Sequence, residues 1–269
     1  MSDPSLVTRV PGEALMQALR EAMSPEQPQA SAARLFGASP IPSSARSWYT
    51  GLLGELAVAD ELRSLPEGWL VLHSVPVGDR GSDIDHVLVS PAGRVLTVNT
   101  KHSPGARVWV SPKAFLVNGQ RRPYLRNSAH EAARAAKLLS TATGVSVDVI
   151  AVVVVVGATL TRKGTPEGVA VITLRELSAF LSRNGSPTQS AVSTELVRHA
   201  VVQPRTWTRS STATELSTDH LVWFLDLRDR VRAAARRRNA WVLTALVGAL
   251  SVPVGAFGLV VATVTTVGF

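Results

Sequence analysis

One stretch of this chain, Val147 to Val156, reads VDVIAVVVVV and is apolar at every position except Asp148. Successive side chains of a strand point to opposite faces, so a strand that does not alternate buries both of them. β-Branched residues also favour the pleated backbone over a helix. The chain must therefore lay other elements on either side of this run, which is the layering of an α/β domain. The surrounding pattern supplies them. Helices are predicted for Trp48 to Arg63, Ser128 to Thr141 and Leu174 to Leu181, and strands for Trp69 to Val75, Asp83 to Ser90, Arg94 to Lys101 and Val169 to Thr173. Val108 to Val110 and Ala114 to Val117 read as a small hairpin. Ser128, with Glu131 three residues on, has the form of a capping box opening the second helix. The order predicts one α/β domain over residues 47–185, with a central mixed sheet flanked by helices.

The flanking segments differ in character. Residues 1–23 read as an amphipathic helix, and residues 24–46, rich in Pro, Ser and Ala, as a linker. Residues 186–240 are polar and close with a helix from about Asp219 into the basic stretch RDRVRAAARRRNA, Arg228 to Ala240. The remainder, WVLTALVGALSVPVGAFGLVVATVTTVGF, carries no charge. A helix needs roughly 20 apolar residues to cross a bilayer, so residues 241–269 are expected to form one transmembrane helix, kinked at Pro253. Clustered Arg before it is the positive-inside signal, which places residues 1–240 in the cytoplasm of a single-pass cell-membrane protein. The N-terminus has no apolar signal-peptide core.

The chain contains no Cys, which excludes a disulfide framework, a thiolate metal site and a Cys nucleophile. Its formal charge is +8. Much of the excess lies between Lys101 and Ser140, where Lys101, Arg107, Lys113, Arg121, Arg122, Arg126, Arg134 and Lys137 face a single acid, Glu131. Such a density suits a polyanion, nucleic acid or anionic lipid.

Polar residues stand where the apolar pattern predicts none. Pro91-Ala92-Gly93 fits a three-residue hairpin loop with Gly in the left-handed position. That register pairs Ser90 with Arg94 and, counting back, Asp85 with Asn99. Thr97 and Lys101 share the face of Asn99. In the first helix Glu55 lies on the stripe of Val58, Ala59 and Leu62, so a carboxylate points inward, where it requires a cation or hydrogen bonds. Gly51 and Gly54 allow this helix a close approach, bringing Glu55 towards Asp85. Two carboxylates, the Asn99 amide oxygen and the Thr100 carbonyl are oxygen ligands of the kind Mg²⁺ takes. Lys101 beside them suits the orientation of a water attacking a phosphodiester.

The stretches GLLGELAVADEL, SDIDHVLVSPAGRVLTVNTKHSPG and YLRNSAHEAARAAKLL resemble the nuclease-related domain (NERD) family of the PD-(D/E)XK nuclease superfamily, over about Trp48 to Gly157. The Gly-Glu helix, the Ile-Asp-His strand and the strand closing on an acid-x-Lys pattern carry the likeness. The resemblance implies a restriction-endonuclease-like core that cleaves DNA with Mg²⁺ or Mn²⁺. It places Glu55, Asp85, Asn99 and Lys101 on the active-site positions, with Glu55, Asp85 and Asn99 at the metal. Asn99 departs from the pattern, which has an acid there. The family's Gln near the second core helix has its nearest counterparts here in Asn127 and His130.

Two functions compete on this reading. One is a membrane-anchored, Mg²⁺-dependent DNA nuclease, with His102, Arg107, Arg121, Arg122, Arg126 and Arg134 along the phosphate backbone. The other is a catalytically weakened or inactive nucleic-acid-binding or scaffold module, which the Asn at position 99 favours.

Overall fold

The valine run lies inside a five-stranded sheet with helices on both faces. The computed structural model describes residues 5–24, 30–78, 82–185, 191–208 and 218–266, with side chains of the last helix from His220 to Val247. In chain order the elements are α1 (Glu13–Ala22), α2 (Ser31–Leu35), α3 (Arg46–Leu62), β1 (Leu70–Val77), β2 (Ser82–Val89), β3 (Val95–His102), β4 (Arg107–Ser111), β5 (Ala114–Val117), β6 (Gln120–Arg122), α4 (Tyr124–Thr143), β7 (Val149–Val156), β8 (Thr159–Arg162), β9 (Val169–Thr173), α5 (Leu177–Asn184), α6 (Ala191–Val201), α7 (Pro204–Trp207) and α8 (Thr218–Thr266). They divide into two compact units, Met1–Glu21 with Arg46–Thr218, and Ala22–Ala45 with Asp219–Phe269.

In the first unit the main sheet has the order β1-β2-β3-β7-β9. β1, β2 and β3 are antiparallel, whereas β3, β7 and β9 are parallel, so the sheet is mixed as the sequence predicts. The two faces are built by residue parity. Leu96 and Val98 of β3, with Val152 and Val154 of β7, pack under Val58 and Leu62 of α3 and Leu177 and Leu181 of α5. The alternate residues, among them Val95 of β3 and Ala151 and Val153 of β7, lie under α4 with its Ala132, Ala135 and Leu139. α3 and α4 thus cover opposite faces. A second sheet, of order β6-β5-β4-β8, stands beside the first; the hairpin predicted there gains β6 and β8.

Local chemistry fixes the hairpin and the helix approach. The β2–β3 loop closes with Gly93 N–H donating to the Ser90 carbonyl at 3.0 Å and Ser90 N–H to Arg94 O at 2.9 Å. Gly93 has φ +83°, a conformation that costs a Cβ-bearing residue free energy. On α3, a Cβ added at Gly54 would stand 2.5 Å from the Cβ of His102, so the absence of a side chain there lets α3 lie directly on β3.

The second helix differs from its prediction. α4 begins at Tyr124, after Pro123. Ser128 is therefore buried within the helix and Glu131 has no capping role; the capping box is corrected. Pro123, directly after β6, marked the true start, because Pro suits the entry of a helix where no N–H is needed.

In the second unit, the segment expected to be a linker holds α2, and Leu35 O accepts a hydrogen bond from Trp241 Nε1 of α8 at 3.0 Å. Phe36 packs on the Trp241 ring. α8 runs from Thr218 to Thr266 as one helix that includes Pro253. Among the described residues no helix is long and apolar enough to cross a membrane. Of the expected membrane segment, the side chains beyond Val247 lie outside the described residues.

Replacing Gly54 by Val should push α3 off β3 and destabilise the fold by ~1–3 kcal/mol through overpacking, despite the better helix propensity of Val. A lowered urea midpoint is expected; an unchanged midpoint would contradict the close approach.

Candidate functional site

The site begins where β2 and β3 part. Their ladder runs Val89↔Val95, Leu88↔Leu96, Val87↔Thr97, His86↔Val98, and ends there. This is the predicted register, but it stops one pair short of Asp85 and Asn99. Beyond it β2 keeps its partner β1 as far as Ser82, and β3 keeps β7 as far as His102. Hydrogen-bonded pairs alternate along an antiparallel ladder. Since Ser90–Arg94 is such a pair, Thr100 N–H would next have met the Ile84 carbonyl. It instead donates to the Asp85 carboxylate, Oδ2, at 2.6 Å. The side chain takes the place of the ladder bond and holds the gap open.

β1 is irregular at the same level. Ser74, opposite Asp85 in register, drops out of the β1–β2 ladder with φ +48°, a left-handed conformation uncommon outside Gly. Its hydroxyl accepts from Glu13 N–H at 3.0 Å and reaches Val10 O at 3.3 Å. The N-terminal segment is thereby docked on the site. Arg9 pairs with Glu13 at 3.2 Å and with Asp83 at 3.8 Å, and Gly12 N–H hydrogen-bonds the Glu55 carboxylate. The sequence reading gave these residues no part in the site; nothing in an amphipathic pattern reveals such a contact.

Glu55 is buried on the predicted stripe of α3. Its helix covers the face opposite the one that carries Asn99 and Lys101, a correction to the expectation that all four approach from one side. The charges of Asp85 and Lys101 nevertheless act on Glu55. Burial lifts the Glu55 carboxyl to about 9, the Asp85 charge pushes the same way, and Lys101 opposes it. Burial likewise raises Asp85, against the pull of Lys101 and the Thr100 N–H. Asp83 is raised to about 6 by burial, opposed by Arg9.

The face under α4 brings two residues that the sequence analysis did not assign. Glu131 accepts a 2.7 Å hydrogen bond from the Asn99 amide, Nδ2. Its carboxyl is raised by burial, lowered by the Asn99 bond, raised by Asp85 and lowered by Lys101, which puts it in the same electrostatic group. Tyr124 carries the Lys101 ammonium over its ring at 5.1 Å and rests edge-on against buried Phe115 of β5, centroids 5.2 Å apart. The second sheet thus positions Lys101 through two aromatic contacts. The helical spacing that read as a cap held the only signal for Glu131.

The remaining predicted residues divide. His102 points towards α3, where its Nδ1 lies 2.7 Å from the Thr50 carbonyl and its ring lies against Gly157; its imidazole serves packing. Arg107 on β4, Arg121 and Arg122 on β6, and Arg126 and Arg134 on α4 are exposed. Arg121 donates to Lys113 O and Arg122 to Gln120 Oε1, each at 2.8 Å. Three of them bracket Tyr124 in sequence, beside the lysine it holds.

The donors gathered here are oxygens, which suit Mg²⁺ or Mn²⁺. Asn99 Oδ1 is buried without a hydrogen-bond partner, and a cation would satisfy it. Among the described residues, no three His, Cys, Asp or Glu side chains are grouped to hold a metal ion, so an ion at this place relies on the amide as well as Glu55 and Asp85.

Residues 50–156 match the family model NERD, the nuclease-related domain. No curated protein and no solved structure matches the chain. The nuclease-related segment spans α3 through β7 and so contains Glu55, Asp85, Asn99, Lys101, Tyr124 and Glu131; the N-terminal residues that dock on Ser74 and Glu55 lie outside it.

The raised carboxyls set a pH dependence. The folded chain keeps the Glu55 proton to about pH 9, whereas an ordinary carboxyl at 4.5 releases it. Stability therefore falls as pH rises between those values, by at most ~1.4 kcal/mol per pH unit for this group; Asp83, Asp85 and Glu131 act in the same sense. Glu55→Gln should flatten the slope and exceed the unsubstituted chain in stability near pH 8. Equal slopes in urea unfolding from about pH 5 to 9 would contradict this.

Proposed function

We propose that this chain is a metal-dependent nuclease of restriction-endonuclease-like design, hydrolysing phosphodiester bonds of DNA. The observation that supports the reading is the electrostatic coupling of Glu55, Asp85 and Lys101 beside the parted end of β2 and β3, where Thr100 N–H donates to the Asp85 carboxylate, within the segment that matches the nuclease-related domain. Glu55, Asp85 and the Asn99 oxygen would hold Mg²⁺ or Mn²⁺, which when bound polarises the phosphate and acidifies water. Lys101, held over Tyr124, would orient the attacking water and stabilise charge developing on the phosphate. The exposed arginines of β4, β6 and α4 supply sequence-independent contacts to the backbone.

A second reading has two observations in its favour. The position expected to carry an acid holds an amide, and the described acids form no metal-binding group of three. On that reading the chain binds nucleic acid without cutting it, or serves as a scaffold.

The two readings separate in one assay. Full-length protein with Mg²⁺ or Mn²⁺ should nick plasmid DNA, and Lys101→Ala or Asp85→Ala should lower the rate by 10²-fold or more, as loss of a charge-stabilising group does. Binding without nicking favours the second reading, and nicking that survives both substitutions refutes the assigned site.

We further propose that the uncharged stretch 241–269 anchors the chain in the cell membrane, with residues 1–240 on the cytoplasmic side. Its support is the sequence, the preceding arginines, and the exposure of Trp241, Val242, Leu243, Leu246 and Val247 on α8. The full chain should sediment with membranes and resist extraction at high salt and alkaline pH; recovery in the soluble fraction would refute the anchor.

A further inference from the structure

The amide at position 99 faces a carboxylate that no sequence pattern assigns. Asn99 is 7 % exposed. Its Nδ2 donates to Glu131 Oε2 at 2.7 Å, while its Oδ1 is buried with no partner. Only the nitrogen end of an amide can face a carboxylate, so this bond fixes which way the amide is turned. Oδ1 is held away from Glu131, on a residue whose strand face Lys101 shares.

An orphan oxygen this deep is costly unless something accepts it as a partner. No ammonium or N–H does so here, although Lys101 stands two residues along the same strand face. A cation is a group whose charge would satisfy that oxygen. Glu131 adds what a neutral amide lacks. A hydrogen bond to an ionised acceptor is stronger than a neutral one and polarises the amide, enriching the oxygen at its other end. Metal sites use outer carboxylates in this way to orient and strengthen their ligands.

We propose that Glu131 is a positioning residue that turns and polarises Asn99, so that the amide oxygen serves as a divalent-cation ligand where a carboxylate is expected. The acid missing from β3 is supplied one hydrogen bond away, from α4. This rests on the metal-dependent reading above and assigns Glu131 a role within it. The swap Asn99→Asp with Glu131→Gln tests the relay, because it keeps both side-chain lengths, the hydrogen bond and the total charge while reversing which partner is the acid.

Mn²⁺ binding to the full-length chain, followed by calorimetry and by the paramagnetic resonance of free Mn²⁺, is the readout. Glu131→Gln can keep the hydrogen bond as an amide pair but removes the charge; it should weaken Mn²⁺ binding about 10- to 100-fold, the range seen on losing outer partners of metal ligands. The double swap should restore the affinity. Thermal unfolding of each variant reports its folding; if Glu131→Gln alone does not fold, the swap carries the test, supporting the relay by binding Mn²⁺ and overturning it by failing to. Unchanged affinity in Glu131→Gln, alongside lost affinity in Asp85→Ala, overturns the relay and leaves the metal site standing. A weakened single variant that the swap does not rescue also overturns it. Absence of Mn²⁺ binding by the unsubstituted chain overturns both the relay and the metal-dependent reading.

Discussion

The bond from Thr100 N–H to the Asp85 carboxylate is the interaction on which the rest of the site depends. An antiparallel ladder would ordinarily continue until one strand ends. Here both strands go on, each with its outer partner, and only their mutual pairing stops. A side chain that replaces a main-chain acceptor satisfies the donor, so the strands separate without leaving the Thr100 N–H unpaired. The separation turns a continuous sheet into one with an open end, where groups from both faces meet.

That opening reconciles two facts that otherwise conflict. α3 and α4 cover opposite faces, yet Glu55 from one and Asn99, Lys101 and Glu131 on the other belong to one electrostatic group. Burial raises the proton affinity of these acids, the Asp85 charge adds to it at Glu55 and Glu131, and the supporting structure offsets this in part. Lys101 is steered in by Tyr124, the Gly12 N–H meets Glu55, and Arg9 meets Asp83. The carboxyls nevertheless remain raised, chiefly by their burial.

Much of the frame was legible in the sequence. The non-alternating valines of β7 predict a strand covered on both faces. Gly93 after Pro91-Ala92 set the hairpin register, and the stripe through Glu55 set the buried face of α3. What could not be read was tertiary. Parity along β3 says which residues share a face but not which helix covers it, so Glu55 was expected on the side of Lys101. The spacing of Ser128 and Glu131 suits a cap and equally suits a helix interior; Pro123 decides between them, and with it Glu131 becomes a neighbour of Asn99. The docking of residues 9–13 joins segments some sixty positions apart, for which no local pattern exists. The excess of arginine between Lys101 and Ser140 was visible as composition, and the fold resolves it into exposed positions on two strands and a helix.

The central claim is that the opened end of β2 and β3 gathers one cation-binding group from both faces of the sheet. Paramagnetic broadening of amide resonances by substoichiometric Mn²⁺ in the full-length protein tests it most directly. The account predicts that signals of Glu55, Asp85, Thr100 and Lys101 and the Asn99 side-chain amide broaden together, ahead of the remainder of the sheet. Broadening confined to one face, or centred on another part of the chain, would contradict it.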